Sequence, residues 1–291
     1  MPVSMIAASF AIAGEEPSGI SARSRLQRVR GEARVTIRRE GAHNRLDVLR
    51  QSGSAKVRLP RIAATAPLEA ILLNTAGGVT GGDCLSFAVS VGESAAAIVS
   101  SQAAERAYRS PGDFARIETR LDVGPKGRLD WIPQETILFE RSALHRRLEA
   151  DVAGSATLLV AEAILLGRAA MGETLHDIAF RDAWRIRRDG IPVFADGMRL
   201  EGDAVAVMAG GATGGSAGAL ATVVVVTPDA ETLAGPAREA LAGDAWESGV
   251  SAWNGMLVAR MLAAGGQTLR LGLTRLLETL RGTGMPRVWN C

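Results

Sequence analysis

The sequence has few of the residues that build metal cages or disulfide frameworks. Its 291 residues include two cysteines, Cys84 and Cys291, and three histidines. The cysteines are too far apart for a CxxC metal pair, and two alone do not make a disulfide-rich domain. The composition therefore argues against a tightly bound cofactor of the kind that cysteine and histidine clusters hold.

The sequence also lacks a charge imbalance and a long apolar run. Its 33 basic residues face 31 acidic ones, whereas a nucleic-acid-binding domain normally carries a concentrated basic surface. No stretch approaches the roughly 20 apolar residues that cross a bilayer. Residues 5–13 are apolar but lack the preceding basic residues of a secretory signal. We therefore expect a cytoplasmic protein that binds neither nucleic acid nor membrane.

Aromatic residues are scarce, at 4%, so we expect a core of alanine, valine, leucine and isoleucine. Apolar and polar residues alternate in segments 34–38, 84–91, 116–123 and 147–152. A period of two is typical of strands with one buried face, which an antiparallel sheet explains best. Glycine and proline turn signals separate these strands, as in a two-layer β domain. Residues 31–153 leave almost no room for the helices of a βαβ arrangement.

The C-terminal half shows different patterns. Residues 221–227 are a β-branched run, consistent with a strand buried on both faces. Leucines at helical spacing predict a helix over 267–281 that ends before Gly282. A helix over 229–241 has to break or start late because it contains Pro236. Residues 156–171 fit either a helix or a buried, bent strand.

The chain shows no internal repeat and no long linker. We expect a flexible N-terminal arm over residues 1–20 and a single domain over 21–291. The predicted fold class is mainly β, with two layers of antiparallel or mixed sheet. A few helices complete it, and the clearest of them lies near the C-terminus.

The segment 74–83, NTAGGVTGGD, is the sharpest local feature. Gly77 and Gly82 have the spacing of a phosphate-binding loop, but Asp83 and Cys84 stand where lysine and serine or threonine belong. A carboxylate there would repel a phosphate, so we interpret the segment as a bend. Its glycines, Gly77, Gly78, Gly81 and Gly82, would supply positive φ angles or allow another backbone to approach. Asp83 is left to face a partner or a passing cation.

A second glycine segment, 214–218, matches the G-x-S-x-G pattern of α/β-hydrolases. That pattern needs a helix after the serine and a histidine further along the chain. Here a predicted strand follows, and all three histidines precede the serine. We therefore expect a glycine-rich loop without hydrolase chemistry.

Several acidic residues stand near apolar stretches. Glu135 and Glu140 flank one such stretch, where a carboxylate pair would suit general acid–base chemistry or would simply be solvated. Glu162 lies inside an apolar run and therefore needs a partner, for which Arg168 is the nearest candidate. Arginines between 141 and 188, among them Arg146, alternate with acids and are expected on solvated sheet faces.

Five segments in order resemble the urease accessory protein D family (UreD, also called UreH). They are 77–83 (GGVTGGD), 101–110 (SQAAERAYRS), 131–139 (WIPQETILF), 166–173 (LGRAAMGE) and 285–289 (MPRVW). The resemblance covers about residues 25–291, nearly the whole chain. One departure is Leu72-Leu73-Asn74, where some relatives carry a histidine, and this argues against a tight nickel site at the loop.

The resemblance implies a non-catalytic maturation factor with an elongated, mostly β fold. Members of the family bind the urease apoprotein and the accessory protein UreF, through which the GTPase UreG is recruited. The assembly delivers nickel to the urease active site, so nickel would be in transit and not a resident cofactor. An internal water-filled passage is the route proposed for it.

The resemblance also suggests which residues act. Weakly held oxygen ligands suit a cation that must be released, and the acids nearest the shared segments are Asp83, Glu135, Glu140, Glu162 and Glu173. Each of these acids has a purely structural role as its alternative. The predicted UreF contact is the C-terminal stripe of Leu276, Leu277, Leu280, Met285 and Trp289, with core packing as its alternative.

Two other functions remain open from the residues alone. The chain would be an enzyme if its glycine loops held a phosphate or acyl group, or a nickel store if it bound the metal permanently. The absence of a phosphate-loop lysine and of a histidine after Ser216 argues against the enzyme. The scarcity of histidine and cysteine argues against the store.

Overall fold

A computed structural model describes residues 27–61, 63, 65–168 and 171–290, and the arm predicted over 1–20 lies outside them. In the described part, the chain forms seventeen strands and three α-helices. The strands are β1 (Arg30–Glu40), β2 (His43–Gly53), β3 (Ala55–Arg58), β4 (Leu68–Asn74), β5 (Cys84–Val91), β6 (Ala96–Ser101), β7 (Glu105–Ala107), β8 (Ala115–Val123), β9 (Arg128–Trp131), β10 (Thr136–Leu138), β11 (Ala143–Val152), β12 (Thr157–Leu166), β13 (Ile178–Arg188), β14 (Ile191–Gly202), β15 (Ala219–Val226), β16 (Glu247–Trp253) and β17 (Met256–Ala263). The helices are α1 (Ala204–Met208), α2 (Ala234–Ala240) and α3 (Gly266–Arg281).

The strands form two mixed sheets, which confirms the mainly β prediction. The first sheet has the order β14-β13-β11-β8-β5-β1-β2. The second has the order β16-β17-β15-β12-β9-β6-β4-β3, with the short strands β10 and β7 attached beside β12.

Much of each sheet is parallel, which corrects the preference for antiparallel pairing. In the first sheet β1, β5, β8, β11 and β13 all pair in parallel, and in the second β4, β6, β9 and β12 do so. Parallel neighbours need a long crossover, which is usually a helix. Here a strand of the opposite sheet serves as the crossover, because the chain passes from one layer to the other between successive neighbours. The lack of room for helices therefore did not exclude parallel strands.

The predicted alternation appears as two-faced strands in the first sheet. In β8, Ile117, Leu121 and Val123 face inward and are buried, while Arg116 and Arg120 are exposed. The inward residues of this sheet pack against those of the second sheet, and together they form the first hydrophobic core.

A second core lies on the opposite face of the second sheet. There Leu269, Leu273, Leu276, Leu277 and Leu280 of α3 pack on β15 and β17, together with residues of α2. Since β15 is covered on both sides, all eight of its residues are buried, as the β-branched run predicted. The helix α3 ends where Gly282 adopts a φ of 68°, a left-handed conformation suited to glycine.

The structure resolves the two segments that were ambiguous in the sequence. Residues 157–166 form the strand β12, and the helix near Pro236 starts late, at Ala234. Pro236 is the third residue of that helix, where a backbone N–H would have no partner within the helix. In the described part of the chain, no helix is both long and apolar enough to span a lipid bilayer.

Candidate functional site

A cavity lies between the two sheets, within the first core. Its volume is about 200 Å³, and its lining includes exposed residues such as Gln102 and buried ones such as Thr119. The first sheet contributes Phe87, Ile117, Thr119, Arg146, Leu148 and Asp182, and the second contributes Leu72, Asn74, Glu105, Trp131, Thr136 and Glu162.

Polar side chains occupy inward positions that are otherwise apolar in this core. Thr119 follows the inward Ile117 on β8, and Arg146 stands between the inward Leu144 and Leu148 on β11. Alternation along a strand places Thr119 and Arg146 on the same face as these apolar neighbours, and that face points into the interior. The expectation that Arg146 lies on a solvated face is therefore wrong.

Arg146, Glu162 and Asp182 form a buried ionic group, here called the Arg146 cluster. One guanidinium nitrogen of Arg146 lies 2.8 Å from a Glu162 oxygen, and the other contacts a carboxylate oxygen of Asp182. The indole N–H of Trp131 donates to Glu162 at 3.1 Å, and that of Trp184 donates to Asp182 at 3.2 Å. The cluster thus joins β11 and β13 of the first sheet to β12 of the second.

Burial and the opposite charges within the cluster shift the pKa values of its members in opposite directions. Burial raises the pKa of the Glu162 carboxyl, and the charge of Arg146 opposes that shift only in part. Burial also disfavours the charged form of Arg146, but the carboxylates of Asp182 and Glu162 outweigh it and raise the pKa of the guanidinium. Arg146 therefore stays a cation inside the protein.

A second, smaller cavity adjoins the cluster on its other side, with room for about one water molecule. It shares Arg146, Glu162 and Asp182 with the larger cavity and also reaches Asp196 on β14. A carboxylate oxygen of Asp196 lies 2.7 Å from a guanidinium nitrogen of Arg260, which is exposed. The two cavities together extend from the loops near Gln102 to this ion pair, and the Arg146 cluster separates them.

Glu105 lies near the exposed end of the larger cavity and was not among the predicted site residues. Its carboxylate accepts hydrogen bonds of 3.2 and 3.3 Å from the side-chain amide of Asn74. Burial raises the pKa of Glu105 to about 7, although the hydrogen bond from Asn74 opposes the shift. The segment 101–110 contains Glu105, but nothing in its local pattern indicates burial.

The glycine segment 74–83 is a tight bend, as predicted. A Cβ on Gly78 would lie 2.2 Å from the Tyr108 ring, and one on Gly81 would lie 2.3 Å from the carbonyl oxygen of Asp113. Gly77 and Gly82 have φ angles of 77° and 88°. The backbone of neighbouring loops therefore approaches too closely for larger residues.

Asp83 holds this bend together. It is 2% exposed, and its two carboxylate oxygens accept the backbone N–H groups of Val29 at 2.7 Å and Thr80 at 2.8 Å. It lines neither of the two cavities. These contacts describe a structural carboxylate.

The other predicted acids lie apart from the cavities. Glu135 is 3.3 Å from a guanidinium nitrogen of Arg270 on α3. Glu140 accepts the backbone N–H of His176, and the backbone N–H of Glu140 itself donates to Glu173. Of the five acids, only Glu162 lines the cavities, while Glu140 and Glu173 meet in a loop cluster elsewhere.

The partner predicted for Glu162 also needs correction. Arg168 pairs with Glu173 at 2.8 Å, and its hydrogen bond lowers the pKa of the Glu173 carboxyl. Glu162 pairs instead with Arg146 of the facing sheet. Arg168 follows the end of β12, and the chain turns at Gly167 with a φ of 76°, so the two side chains are directed to different places.

Four of the five residues predicted to contact UreF are buried within this chain. The side chains of Leu276, Leu277, Leu280 and Trp289 are at most 6% exposed and belong to the second core, against which Met285 packs. The indole of Trp289 donates to the carbonyl of Ile132. The structure thus shows the core packing named as the alternative, and a partner can reach these side chains only if they leave the core.

Among residues 27–61, 63, 65–168 and 171–290, no three His, Cys, Asp or Glu side chains lie together as a metal-binding group. The cavities instead present carboxylates at separate points, with Glu105 at one end, Glu162 and Asp182 in the middle and Asp196 at the other end. Such an arrangement offers oxygen ligands to a cation without enclosing it.

Comparison with known proteins gives consistent matches over nearly the whole length of the chain. A family model described as UreD urease accessory protein matches residues 29–290. The chain is 47% identical over 287 residues to urease accessory protein UreD 2 of Methylorubrum populi, covering 96% of this chain and 95% of that one. It is 47% identical to urease accessory protein UreD of Cereibacter sphaeroides (91% and 96% covered) and 44% identical to that of Xanthobacter autotrophicus (97% and 98% covered).

Proposed function

Because the chain belongs to the UreD family of urease accessory proteins, which are maturation factors and not enzymes, we propose that it carries nickel toward urease through its two cavities. Nickel is the cargo in this proposal and not a resident cofactor. The ion enters near Glu105, passes the Arg146 cluster and leaves near Asp196.

The observation that carries the proposal is the series of carboxylates that line the cavities between the sheets. Burying charged groups is costly even when they are paired, so a core with only a structural role would normally be apolar at these positions. Glu162 and Asp182 lie on facing sheets and line both cavities. A hard or borderline divalent cation finds oxygen ligands along this line and no thiolate or imidazole cage that would retain it.

We further propose that the chain acts within a cytoplasmic assembly. Its partners are the urease apoprotein, UreF and, through UreF, the GTPase UreG, whose GTP hydrolysis accompanies nickel insertion. The family resemblance supports these partners. In this arrangement the chain is a scaffold, and its cavities connect the partner that supplies nickel to the apoprotein that receives it.

The test is the substitution Glu162→Gln in cells that express urease with all its accessory proteins. Glutamine keeps the size of the side chain and removes its charge, so the fold and the assembly should persist. We expect the nickel content and the activity of purified urease to fall several-fold, measured by metal analysis and urea hydrolysis.

The matched control is Glu118→Gln, which removes a carboxylate from the exposed face of β8. It should leave nickel loading unchanged. Normal nickel loading in E162Q, with the assembly still recovered by co-purification, would exclude this route and leave only a docking role.

A further inference from the structure

We propose that Arg146 is a resident cation that competes with a divalent metal ion for the carboxylates of Glu162 and Asp182, so that this pair is a transient metal site. The proposal rests on the proposed function and deepens it, since it concerns the point of the same route that both cavities share. The transport of a cation does not by itself require a positively charged side chain on the route, and the proposal gives Arg146 a role there.

The geometry places both carboxylates around a single cation. The terminal nitrogens of one guanidinium contact Glu162, at 2.8 Å, and Asp182. Both carboxylates thus face the position of one guanidinium, and we infer that they close around a metal ion that takes its place. The position lies between the two cavities, because all three side chains line both of them.

Neither the charges nor the hydrogen-bonding atoms of the Arg146 cluster are all paired within the described chain. Two carboxylates face one guanidinium, so full ionisation leaves one negative charge without a counter-charge, whereas a divalent ion would balance both. The guanidinium Nε of Arg146 and one oxygen of Asp182, Oδ1, are buried without a hydrogen-bond partner in the described chain. Arg146 and Asp182 are only 7% and 8% exposed. The free Oδ1 of Asp182 can take a metal ion as a ligand, whereas the Nε–H of Arg146 lacks an acceptor.

Arg146 has space to move without leaving the protein. Its side chain borders the larger cavity, where its other contacts are a hydrogen bond of 3.0 Å to the Thr136 hydroxyl and the ring of Phe180 at 5.4 Å. Glu105 lies on the lining of the same cavity and offers another carboxylate. A metal ion can therefore take the place of the guanidinium while Arg146 turns into the cavity.

Because of this competition, the carboxylates of Glu162 and Asp182 hold a metal ion only weakly. Without Arg146, two buried carboxylates would attract a divalent ion with no opposing charge and would hold it. With Arg146 present, the metal ion must first displace a cation that already occupies the site. Release is then assisted by the return of the guanidinium.

The test uses the purified full-length chain and nickel chloride, and it needs no urease. Arg146→Met keeps much of the aliphatic side chain and removes the charge. We expect R146M to bind one nickel ion at least about tenfold more tightly than the unmodified chain, because one opposing charge is gone. Calorimetric titration measures the affinity, and the nickel-dependent rise in melting temperature provides a second measurement.

The triple variant R146M/E162Q/D182N distinguishes this site from nickel bound at surface histidines. It should lose the additional nickel binding that R146M gains.

If R146M folds only in the presence of nickel, the proposal is supported, since the metal then replaces the lost cation. If R146M does not fold at all, Arg146→Lys takes its place, because an ammonium gives up the two-pronged contact and should allow nickel to bind more tightly than in the unmodified chain.

Equal nickel affinity in the unmodified chain and in R146M, or in R146K where that variant replaces it, would overturn the proposal. So would additional binding that survives in the triple variant. Failure of the proposed function gives a different result: E162Q would load urease normally in cells, whatever R146M binds in the calorimeter.

Discussion

At the scale of single residues, the interior of this protein keeps ionisable groups that most cores exclude. Glu105 is one case: it is half-buried at the cavity, and its principal polar contact is the neutral amide of Asn74. The folded chain therefore favours the protonated form, with a pKa of about 7 against an ordinary value of 4.5. A difference of this size couples the stability of the fold to pH.

The sign of that coupling follows from which state holds the proton. Between about pH 4.5 and 7 the folded state binds a proton at Glu105 that the unfolded state does not, so stability falls as pH rises. Below that range both states are protonated and the contribution is constant. The total change is on the order of 3 kcal/mol.

The substitution Glu105→Gln should remove this dependence. We expect the free energy of unfolding of E105Q to fall less steeply than that of the unmodified chain between about pH 5 and 8. Urea unfolding at several pH values measures it. Glu118→Gln, at an exposed position, should leave the slope unchanged, and parallel curves for E105Q and the unmodified chain would refute the assignment.

At the scale of elements, the helix α3 is fastened to the second sheet by apolar packing and by one buried ion pair. The guanidinium of Arg281 lies 2.9 Å from the carboxylate of Asp130 on β9, and both side chains are almost fully buried. Gly272 lets the helix lie close to the sheet, since a Cβ there would come within 2.9 Å of the Trp246 ring and 2.6 Å of Met261. The helix thus closes the second core.

Two glycine-to-alanine substitutions should have opposite effects on stability. Gly272→Ala should destabilise the fold by about 1–3 kcal/mol, because the rigid indole of Trp246 cannot move aside cheaply. Gly235→Ala, at an exposed position of α2 with open space around it, should stabilise the fold by up to about 1 kcal/mol. Denaturant unfolding of both variants tests the packing, and a gain in stability for G272A would contradict it.

At the scale of the whole molecule, the three layers form two cores of different character. The second core, between the second sheet and the helices, is mostly apolar and contains the buried Arg281–Asp130 pair. The first, between the two sheets, contains the cavities and the Arg146 cluster. Each core therefore holds buried charge, but the first has the larger cavity and its cluster lines two cavities, whereas the second holds the Arg281–Asp130 pair under α3.

Filling the larger cavity should block passage without changing any charge. Thr119 lies on its wall, so we expect Thr119→Phe to lower the nickel content of co-expressed urease several-fold while the chain still assembles with its partners. Thr119→Val, which keeps the size of the side chain, should load urease normally. Metal analysis of purified urease measures both, and full loading with T119F would mean that nickel does not cross this cavity.

The sequence by itself determined what depends on local pattern. Alternation at 116–123 and 84–91 identified strands with one buried face, and the leucine spacing identified α3 with its end at Gly282. The order of five short segments was enough to identify the UreD family. These features depend on residues that are close together in the chain.

Only the tertiary structure decided which charged groups meet. Glu162 pairs with Arg146, sixteen positions away on the facing sheet, and not with Arg168, which is six positions away. The predicted acids Asp83, Glu135, Glu140 and Glu173 found other partners, whereas the unpredicted Glu105 and Asp182 line the cavity. Periodicity assigns a residue to a face of its own strand, but contacts across two layers depend on how the sheets are ordered and placed, which no local pattern encodes.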